Sequence, residues 1–116
     1  MKTHTGSCHC GAVTFTVTAD IEKVMECNCS HCTRKGFLLT FIPKEQFTLL
    51  TGEDNLTEYR FNKMHIAHRF CKTCGVQCFG EAKNENGGDT VAVNVRTLPD
   101  IDLSTLTIEK FDGKSY

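Results

Sequence analysis

The sequence predicts a mostly-β domain that metal ions hold together, and three observations support this prediction. Apolar and polar residues alternate in several short segments with the two-residue period of strands. Patterns typical of helices are scarce. Seven of the eight cysteines lie in C-x-C or C-x-x-C spacings, which suit a tetrahedral metal ion better than a set of disulfides. Together these features indicate many short strands stapled by zinc.

The first strand signals lie in the N-terminal half of the chain. Val13, Phe15 and Val17 alternate with threonines, which is typical of a strand with one buried face. Residues 37–42 form a short apolar run, which indicates a buried strand that ends at Pro43.

Three later segments show the same alternation: Thr57, Tyr59 and Phe61; Ile66, His68 and Phe70; and Val91, Val93 and Val95. Residues 84–89 are rich in Asn, Asp and Gly, which favour positive φ angles, so a turn or loop is predicted there. Residues 103–106 are expected to form a short helical turn.

The best helix candidate is a single turn from Ser30 to Lys35. Ser30 is suited to the N-cap position and Gly36 to the residue that follows the helix. Arg34 and Lys35 would lie near the negative end of the helix dipole. This turn would carry Cys32.

Length and composition exclude several classes of protein. A chain of 116 residues fits one domain, residues 1–116. No apolar run approaches the roughly 20 residues of a membrane helix, and no apolar signal-peptide segment follows Lys2. We therefore expect a cytoplasmic protein without a membrane partner. The net charge is −1 and the basic residues are scattered, so no nucleic-acid partner is expected.

The first cysteine constellation joins two similar motifs, C-H-C-G at Cys8 and Cys10 and C-K-T-C-G at Cys71 and Cys74. In each motif two thiols are followed by a glycine, which permits the tight turn that points both sulfurs at one ion. Two such pairs complete the Cys₄ set of a closed structural zinc site. Such an ion would tie together two distant parts of the chain.

Structural zinc contributes on the order of 10–16 kcal/mol in small model domains. That range is comparable to the whole net stability of a typical domain, about 5–15 kcal/mol. The alternative is that Cys71 and Cys74 form a redox pair, although the spacing of Cys8 and Cys10 does not match thioredoxin-like chemistry.

The second constellation places Cys27, Cys29 and Cys32 within six residues and has no second pair to complete it. Three protein ligands and one open position distinguish catalytic zinc from structural zinc. A zinc ion held by three thiolates is suited to accept a fourth thiolate from outside. The bound thiol would lose its proton and become a better nucleophile at neutral pH.

A fourth protein ligand would instead close this second site. Cys78 is the remaining thiol and the first alternative, followed by His31, His65 and His68. Cys78 alternates with Val76 after the second motif, so a buried free thiol is the competing interpretation for this residue.

Read together, the segments around these cysteines resemble the glutathione-dependent formaldehyde-activating enzyme family, which includes the centromere protein V domain. The resemblance rests on three ordered motifs, G-S-C-H-C-G-A-V from Gly6, C-N-C-S-H-C-T-R-K-G from Cys27 and F-C-K-T-C-G from Phe70. It extends to residues 112–113, and the V-N-V-R-T-L stretch from Val93 is similar to the family's late strand.

This resemblance implies an Mss4-like fold of packed antiparallel β-sheets with very short helices. It implies a structural zinc on the four outer cysteines and a catalytic zinc on Cys27, Cys29 and Cys32. The implied activity is that of a carbon–sulfur lyase that joins glutathione, the co-substrate, to formaldehyde to give S-hydroxymethylglutathione.

Three functions are therefore considered. The first is zinc-dependent carbon–sulfur chemistry on a small thiol and an aldehyde, with Arg34 as a candidate for binding a substrate carboxylate and Arg96 as a second candidate. The second is a non-catalytic binding module with two structural zincs, since fold alone does not determine function. The third is thiol redox work on a sulfoxide, for which Cys78 is the available thiol. His31 and His68 are candidates for a general base only through their usual pKa range.

Overall fold

The computed structural model describes residues 1–61, 66–83 and 89–115. The mostly-β prediction is confirmed, since ten short strands account for most of the regular structure in these ranges. The strands are β1 (Lys2–Ser7), β2 (Thr14–Ala19), β3 (Lys23–Cys27), β4 (Leu39–Pro43), β5 (Phe47–Thr51), β6 (Leu56–Tyr59), β7 (Ile66–Cys71), β8 (Gln77–Lys83), β9 (Asp89–Asn94) and β10 (Thr107–Phe111). The α-helix is α1 (Ser30–Lys35). Short 3₁₀ turns cover Lys44–Gln46, Glu53–Asn55, Val95–Thr97, Leu103–Thr105 and Gly113–Ser115.

The strands form two sheets. One has three strands in the order β1-β2-β5, and the other has seven in the order β10-β3-β4-β9-β8-β7-β6. The neighbours pair antiparallel, as expected, except that β10 runs parallel to β3. A parallel pair needs a long crossover connection, so its direction depends on a chain path that strand periodicity does not report.

The hydrophobic core lies between the two sheets. The ring of Phe47 stacks on Phe15 with centroids 5.4 Å apart and contacts Phe79 of the larger sheet at 4.6 Å. The predicted buried face is confirmed, because Phe15 and Val17 of β2 are fully buried, as is Val13, which lies just before the strand. Of the described helices, none has the length and apolar character needed to cross a membrane.

Several predicted boundaries differ from the observed ones. The strand expected at residues 37–42 begins at Leu39 and includes Pro43, which closes it at the pair with Thr90. The strand expected to reach Phe61 ends at Tyr59. Residues 84–88 of the predicted loop lie outside the described residues. The last residue of that prediction, Asp89, begins β9.

Helix α1 confirms the predicted turn but not its N-cap. Gly36 follows the helix with φ +69°, the left-handed conformation that a glycine adopts without strain. The N-cap is Cys29 rather than Ser30, because the Cys29 sulfur accepts the hydrogen bond from the Cys32 N–H. The metal motif therefore also caps the helix. The expected turn near residue 103 is present as Leu103–Thr105.

Gly52 holds the turn after β5 against the chain that leads into β2. Its φ is +93°, and a Cβ at this position would lie 2.5 Å from the carbonyl oxygen of Ala12. Both the backbone conformation and the lack of space therefore require glycine here.

We predict that Gly52→Ala destabilises the protein more than Gly36→Ala. A Cβ at Gly36 would meet nothing within 4 Å, so only the left-handed conformation is penalised, at about 1–2 kcal/mol. Gly52→Ala adds an overlap with rigid backbone. Urea unfolding of the two zinc-loaded variants measures the difference, and equal losses of unfolding free energy would contradict the close approach at Gly52.

Candidate metal centres and adjoining cavities

The four outer cysteines meet at one point, as their spacing predicts. The sulfurs of Cys8, Cys10, Cys71 and Cys74 all lie within 4.8 Å of one another. Cys10 Sγ is 3.6 Å from both Cys8 Sγ and Cys71 Sγ. A zinc ion with bonds of about 2.3 Å would place its tetrahedral sulfurs about 3.8 Å apart, so these residues fit zinc. A disulfide requires about 2.05 Å, and all four cysteines are free.

The two motifs are built alike. Gly11 and Gly75, which follow the second cysteine of each motif, have φ +82° and +81° and so confirm the predicted tight turns. Nothing lies within 4 Å of a Cβ built at either glycine, so backbone conformation alone accounts for them.

Hydrogen bonds to sulfur prepare this cluster for a cation. The Cys74 N–H points at Cys71 Sγ at 3.5 Å, and this backbone donor is the main cause that lowers the pKa of Cys71 to about 6. Asn55 Nδ2 donates to the same sulfur at 3.2 Å and also to Thr73 Oγ1. Sequence reasoning missed Asn55, because it lies 16 residues before Cys71 and carries no motif.

Cys78 is a buried free thiol, with 1% of its surface exposed. Burial raises its pKa to about 12, and the nearby charges of Cys8 and Cys74 act in the same direction. Cys78 is not part of either cysteine cluster. Its position supports the interpretation as a core thiol over that of a fourth ligand or a reactive thiol.

The sulfurs of Cys27, Cys29 and Cys32 form the second cluster and also lie within 4.8 Å of one another. Cys27 ends β3, Cys29 caps α1 and Cys32 lies in its first turn. In residues 1–61, 66–83 and 89–115, no further Cys, His, Asp or Glu joins this group. Each of the two clusters could hold a metal ion, and thiol ligands in such numbers are consistent with zinc. His65 lies outside the described residues.

In the second cluster, burial and hydrogen bonding act in opposite directions on the thiol pKa values. Partial burial acts to raise the pKa of Cys29, but the Cys32 N–H, 3.3 Å from the Cys29 sulfur, contributes to a net lowering. Burial raises the pKa of Cys32. A bound cation would offset this penalty by compensating the thiolate charge.

A segment near the C-terminus is fastened to this cluster through Asn28. The Asn28 N–H donates to the Phe111 carbonyl at 3.1 Å, and Nδ2 donates to Asp112 Oδ1 at 3.0 Å. The Lys114 N–H donates to Asn28 Oδ1 at 2.9 Å. These bonds place Gly113 so close to the cluster that a Cβ would overlap with Cys27 Sγ. Sequence reasoning missed Gly113, because only the tertiary fold brings it there.

The two candidate histidines lie in an aromatic group rather than in a metal site. The rings of His31 and His68 are 4.3 Å apart, and Phe61 packs on both of them. Burial lowers the pKa of His31, and burial together with His31 and Lys35 lowers the pKa of His68 to about 4. His68 is therefore uncharged at neutral pH.

Two cavities adjoin the three-cysteine cluster and share Cys27 and Cys32 in their walls. The first has a volume of about 560 Å³ and is lined by apolar residues such as Phe37, Leu38 and Phe111 as well as by charged ones. We call it the polar cavity after its charged lining residues, Glu26, Arg96, Lys110 and Asp112. The second, the apolar cavity, has a volume of about 230 Å³. A larger depression of about 730 Å³ contains none of the cysteines, so the sulfur chemistry points to the other two.

The two candidate arginines are placed differently. Arg34 Nη1 donates to the carbonyl oxygen of Ser30 at 2.9 Å, and Arg34 lines neither cavity beside the cluster. Arg96 lines the polar cavity, where its Nε donates to the Gly36 carbonyl at 3.0 Å. The role of Arg34 stays a prediction, and the geometry favours Arg96 for meeting a ligand.

Fold and site together define a small two-sheet β protein with two cysteine clusters suited to metal. Comparison with known proteins agrees with this class. Residues 3–111 match the family model of the glutathione-dependent formaldehyde-activating enzyme. A crystal structure of a Rhodobacter sphaeroides protein superposes with a TM-score of 0.77 at 27% identity, covering 90% of this chain and 99% of that one. The chain belongs to the glutathione-dependent formaldehyde-activating enzyme family.

We predict that Cys71→Ser and Cys29→Ser have unequal effects on stability. Cys71→Ser breaks a cluster that joins two distant segments, so the variant should lose cooperative unfolding. Serine at position 29 keeps an oxygen that can cap α1, so the loss of unfolding free energy should be about 1 kcal/mol or less. Thermal unfolding monitored by circular dichroism measures both, and equal losses would contradict the different roles of the two clusters.

We also predict that Gly113→Ala lowers metal content from two ions to one per chain without unfolding the protein. The new methyl group would displace Cys27 Sγ, whereas the four-cysteine cluster lies elsewhere. Lys114→Ala is the matched control, because only the backbone N–H of Lys114 bonds to Asn28. Elemental analysis after dialysis gives the result, and two ions retained in Gly113→Ala would contradict the prediction.

Proposed function

We propose that the protein is a zinc-dependent enzyme of the carbon–sulfur lyase class that joins the thiol of glutathione to an aldehyde, as in the formation of S-hydroxymethylglutathione. The observation that carries this proposal is the second cluster, in which three thiols stand together and contribute to the walls of two cavities. The family to which the chain belongs supports glutathione and formaldehyde as the first substrates to test.

The polar cavity suits glutathione in size and charge. Its volume of about 560 Å³ lies within the usual range of small-molecule sites, about 300–1,000 Å³. Glutathione carries two carboxylates and one ammonium group. Arg96 and Lys110 could pair with the carboxylates, and Glu26 or Asp112 with the ammonium group. The thiol in the middle of the tripeptide would then lie toward Cys27 and Cys32, which form part of the same wall.

Different residues of the chain would bind the metal, position its ligands and orient the substrate around the reacting sulfur. Cys27, Cys29 and Cys32 would hold zinc, which when bound supplies a positive charge that lowers the pKa of an incoming thiol. Asn28 and Gly113 position Cys27 by fastening the segment after β10 against it. The charged groups of the polar cavity would orient the tripeptide, which fixes the direction from which its sulfur approaches an aldehyde carbon.

The test uses exchange NMR with ¹³C-formaldehyde. It measures the rate at which zinc-loaded protein interconverts free formaldehyde and the adduct of formaldehyde with glutathione. We predict that the wild type accelerates exchange and that Cys29→Ser does not. Arg96→Ala should raise the KM for glutathione about tenfold, equivalent to ~1.4 kcal/mol, with kcat unchanged. Arg34→Ala is the matched arginine control and should leave KM unchanged.

Two results would overturn parts of this proposal. A raised KM for glutathione in Arg34→Ala but not in Arg96→Ala would show that Arg34, and not Arg96, contacts the carboxylate. No acceleration by the wild type, together with two zincs that resist a chelator equally with and without glutathione, would favour the non-catalytic binding module.

A further inference from the structure

The apolar cavity exists because two of the smallest residues lie side by side in the larger sheet. Phe41 of β4 pairs with Ala92 of β9, Ala92 pairs with Gly80 of β8, and Gly80 pairs with His68 of β7. Directly paired residues present their side chains on the same face of a sheet. Along this row the side chains are large at Phe41 and His68 but only a methyl group at Ala92 and a hydrogen at Gly80. The two small residues leave a hollow above β8 and β9.

The walls of this hollow are nearly all apolar. Phe37, Leu39, Phe41, Phe61, Ile66 and Phe111 line it, with Cys27, Cys29 and Cys32 at one side. Phe41, Ile66 and Phe111 are 50%, 43% and 38% exposed, so apolar surface remains open to solvent beside the thiols. Burying the two carboxylates and the ammonium group of glutathione against such walls would be costly. The polar cavity is the better place for that molecule.

Two buried polar groups interrupt the apolar lining. His68 and Gln77 are 8% and 5% exposed, and both line the cavity. Gln77 Nε2 lies 3.4 Å from His68 Nδ1, and a hydrogen bond between these two atoms requires the imidazole tautomer whose Nδ1 is unprotonated. The other amide atom, Gln77 Oε1, is buried and has no hydrogen-bond partner in the part of the chain that the structure describes. An unpaired buried acceptor is uncommon in proteins and is a natural contact for a ligand hydroxyl.

The cavity is too large for formaldehyde alone. Its volume is about 230 Å³, whereas a water molecule occupies about 30 Å³ of the liquid and formaldehyde has only two non-hydrogen atoms. An apolar cavity of about 150 Å³ in another protein accommodates benzene. A phenyl or branched alkyl group attached to the aldehyde carbon therefore matches both the size and the lining.

We propose that the preferred carbonyl substrate carries an apolar group of about phenyl size, which occupies the apolar cavity while its carbonyl carbon faces the thiol beside Cys27 and Cys32. This inference rests on the proposed function and specifies its substrate class. In the reaction the thiol sulfur forms a bond to the carbonyl carbon, the π bond of C=O breaks, and the thiol proton ends on the oxygen. No electrons are gained or lost. The new hydroxyl could donate to Gln77 Oε1.

Binding is tested first without any reaction. The probe is 2-phenylethanol, which has the shape of phenylacetaldehyde but cannot form an adduct, and it is titrated into zinc-loaded protein by ¹H–¹⁵N NMR. We expect Ala92→Phe, which fills the hollow, to weaken binding at least about tenfold. Ile108→Phe is the matched control, because Ile108 is exposed on β10 of the same sheet and does not line the cavity. Should Ala92→Phe fail to fold, Phe41→Ser takes its place. This substitution removes one wall of the cavity at an exposed position and should likewise weaken binding of 2-phenylethanol.

Turnover is then compared for phenylacetaldehyde and formaldehyde with glutathione. We expect a higher kcat/KM for phenylacetaldehyde, and a loss of at least about tenfold for this aldehyde alone in Ala92→Phe. Turnover of formaldehyde without preference for phenylacetaldehyde, or binding of 2-phenylethanol that Ala92→Phe does not weaken, would overturn the inference and leave the proposed function intact. Binding of the probe with no turnover of either aldehyde would overturn both the proposed function and the aldehyde assignment.

Discussion

Charge compensation among clustered thiols is the constraint on which the rest of the structure depends. Four sulfurs from two distant turns meet within 4.8 Å, and thiolates at such separations repel one another unless a cation lies between them. A cation between them would attract every thiolate and hold Cys10 and Cys71, 61 residues apart, at one point. Such an ion would add a cross-link between distant segments to the apolar core between the sheets.

The two clusters differ because different numbers of chain segments supply their ligands. The first takes two thiols from each of two segments, so it closes a long loop and completes a tetrahedron. The second takes all three thiols from one short segment, Cys27 to Cys32, so it does not join distant parts of the chain. A cluster that the fold does not need for its topology can leave a coordination position to a ligand. The two cavities that its cysteines line provide room for one.

The arrangement of the sheet explains what surrounds the second cluster. The row from Phe41 through Ala92 and Gly80 to His68 makes a hollow, and Phe111 and Gly113, at the end of β10 and just after it, also line it. One of the two cavities beside the cluster includes four charged residues, and the other is lined almost entirely by apolar ones. A thiol with charged ends and a carbonyl compound with an apolar substituent could then reach the same sulfur cluster from different cavities.

The prediction from sequence was accurate where a local motif determines local geometry. The cysteine clusters, the turns at Gly11 and Gly75, helix α1 and the buried face of β2 all depend on residues a few positions apart. Strand β10 could not be predicted, because all of its side chains are exposed and its sequence lacks alternation. Its parallel pairing with β3 likewise depends on the path of the chain between the two strands.

The sequence by itself determined the ligand chemistry, since the spacing of thiols decides which sulfurs can share an ion. Only the tertiary structure decided what lies next to those sulfurs. Gly113 against Cys27, Asn55 against Cys71 and Gly80 beside Ala92 are contacts between residues far apart in the chain. The pair of Gly80 and Ala92, on consecutive strands, follows from strand register, and the other two contacts follow from the direction in which each segment returns. These properties are set by the packing of the whole molecule, whereas motif spacing depends only on covalent neighbours.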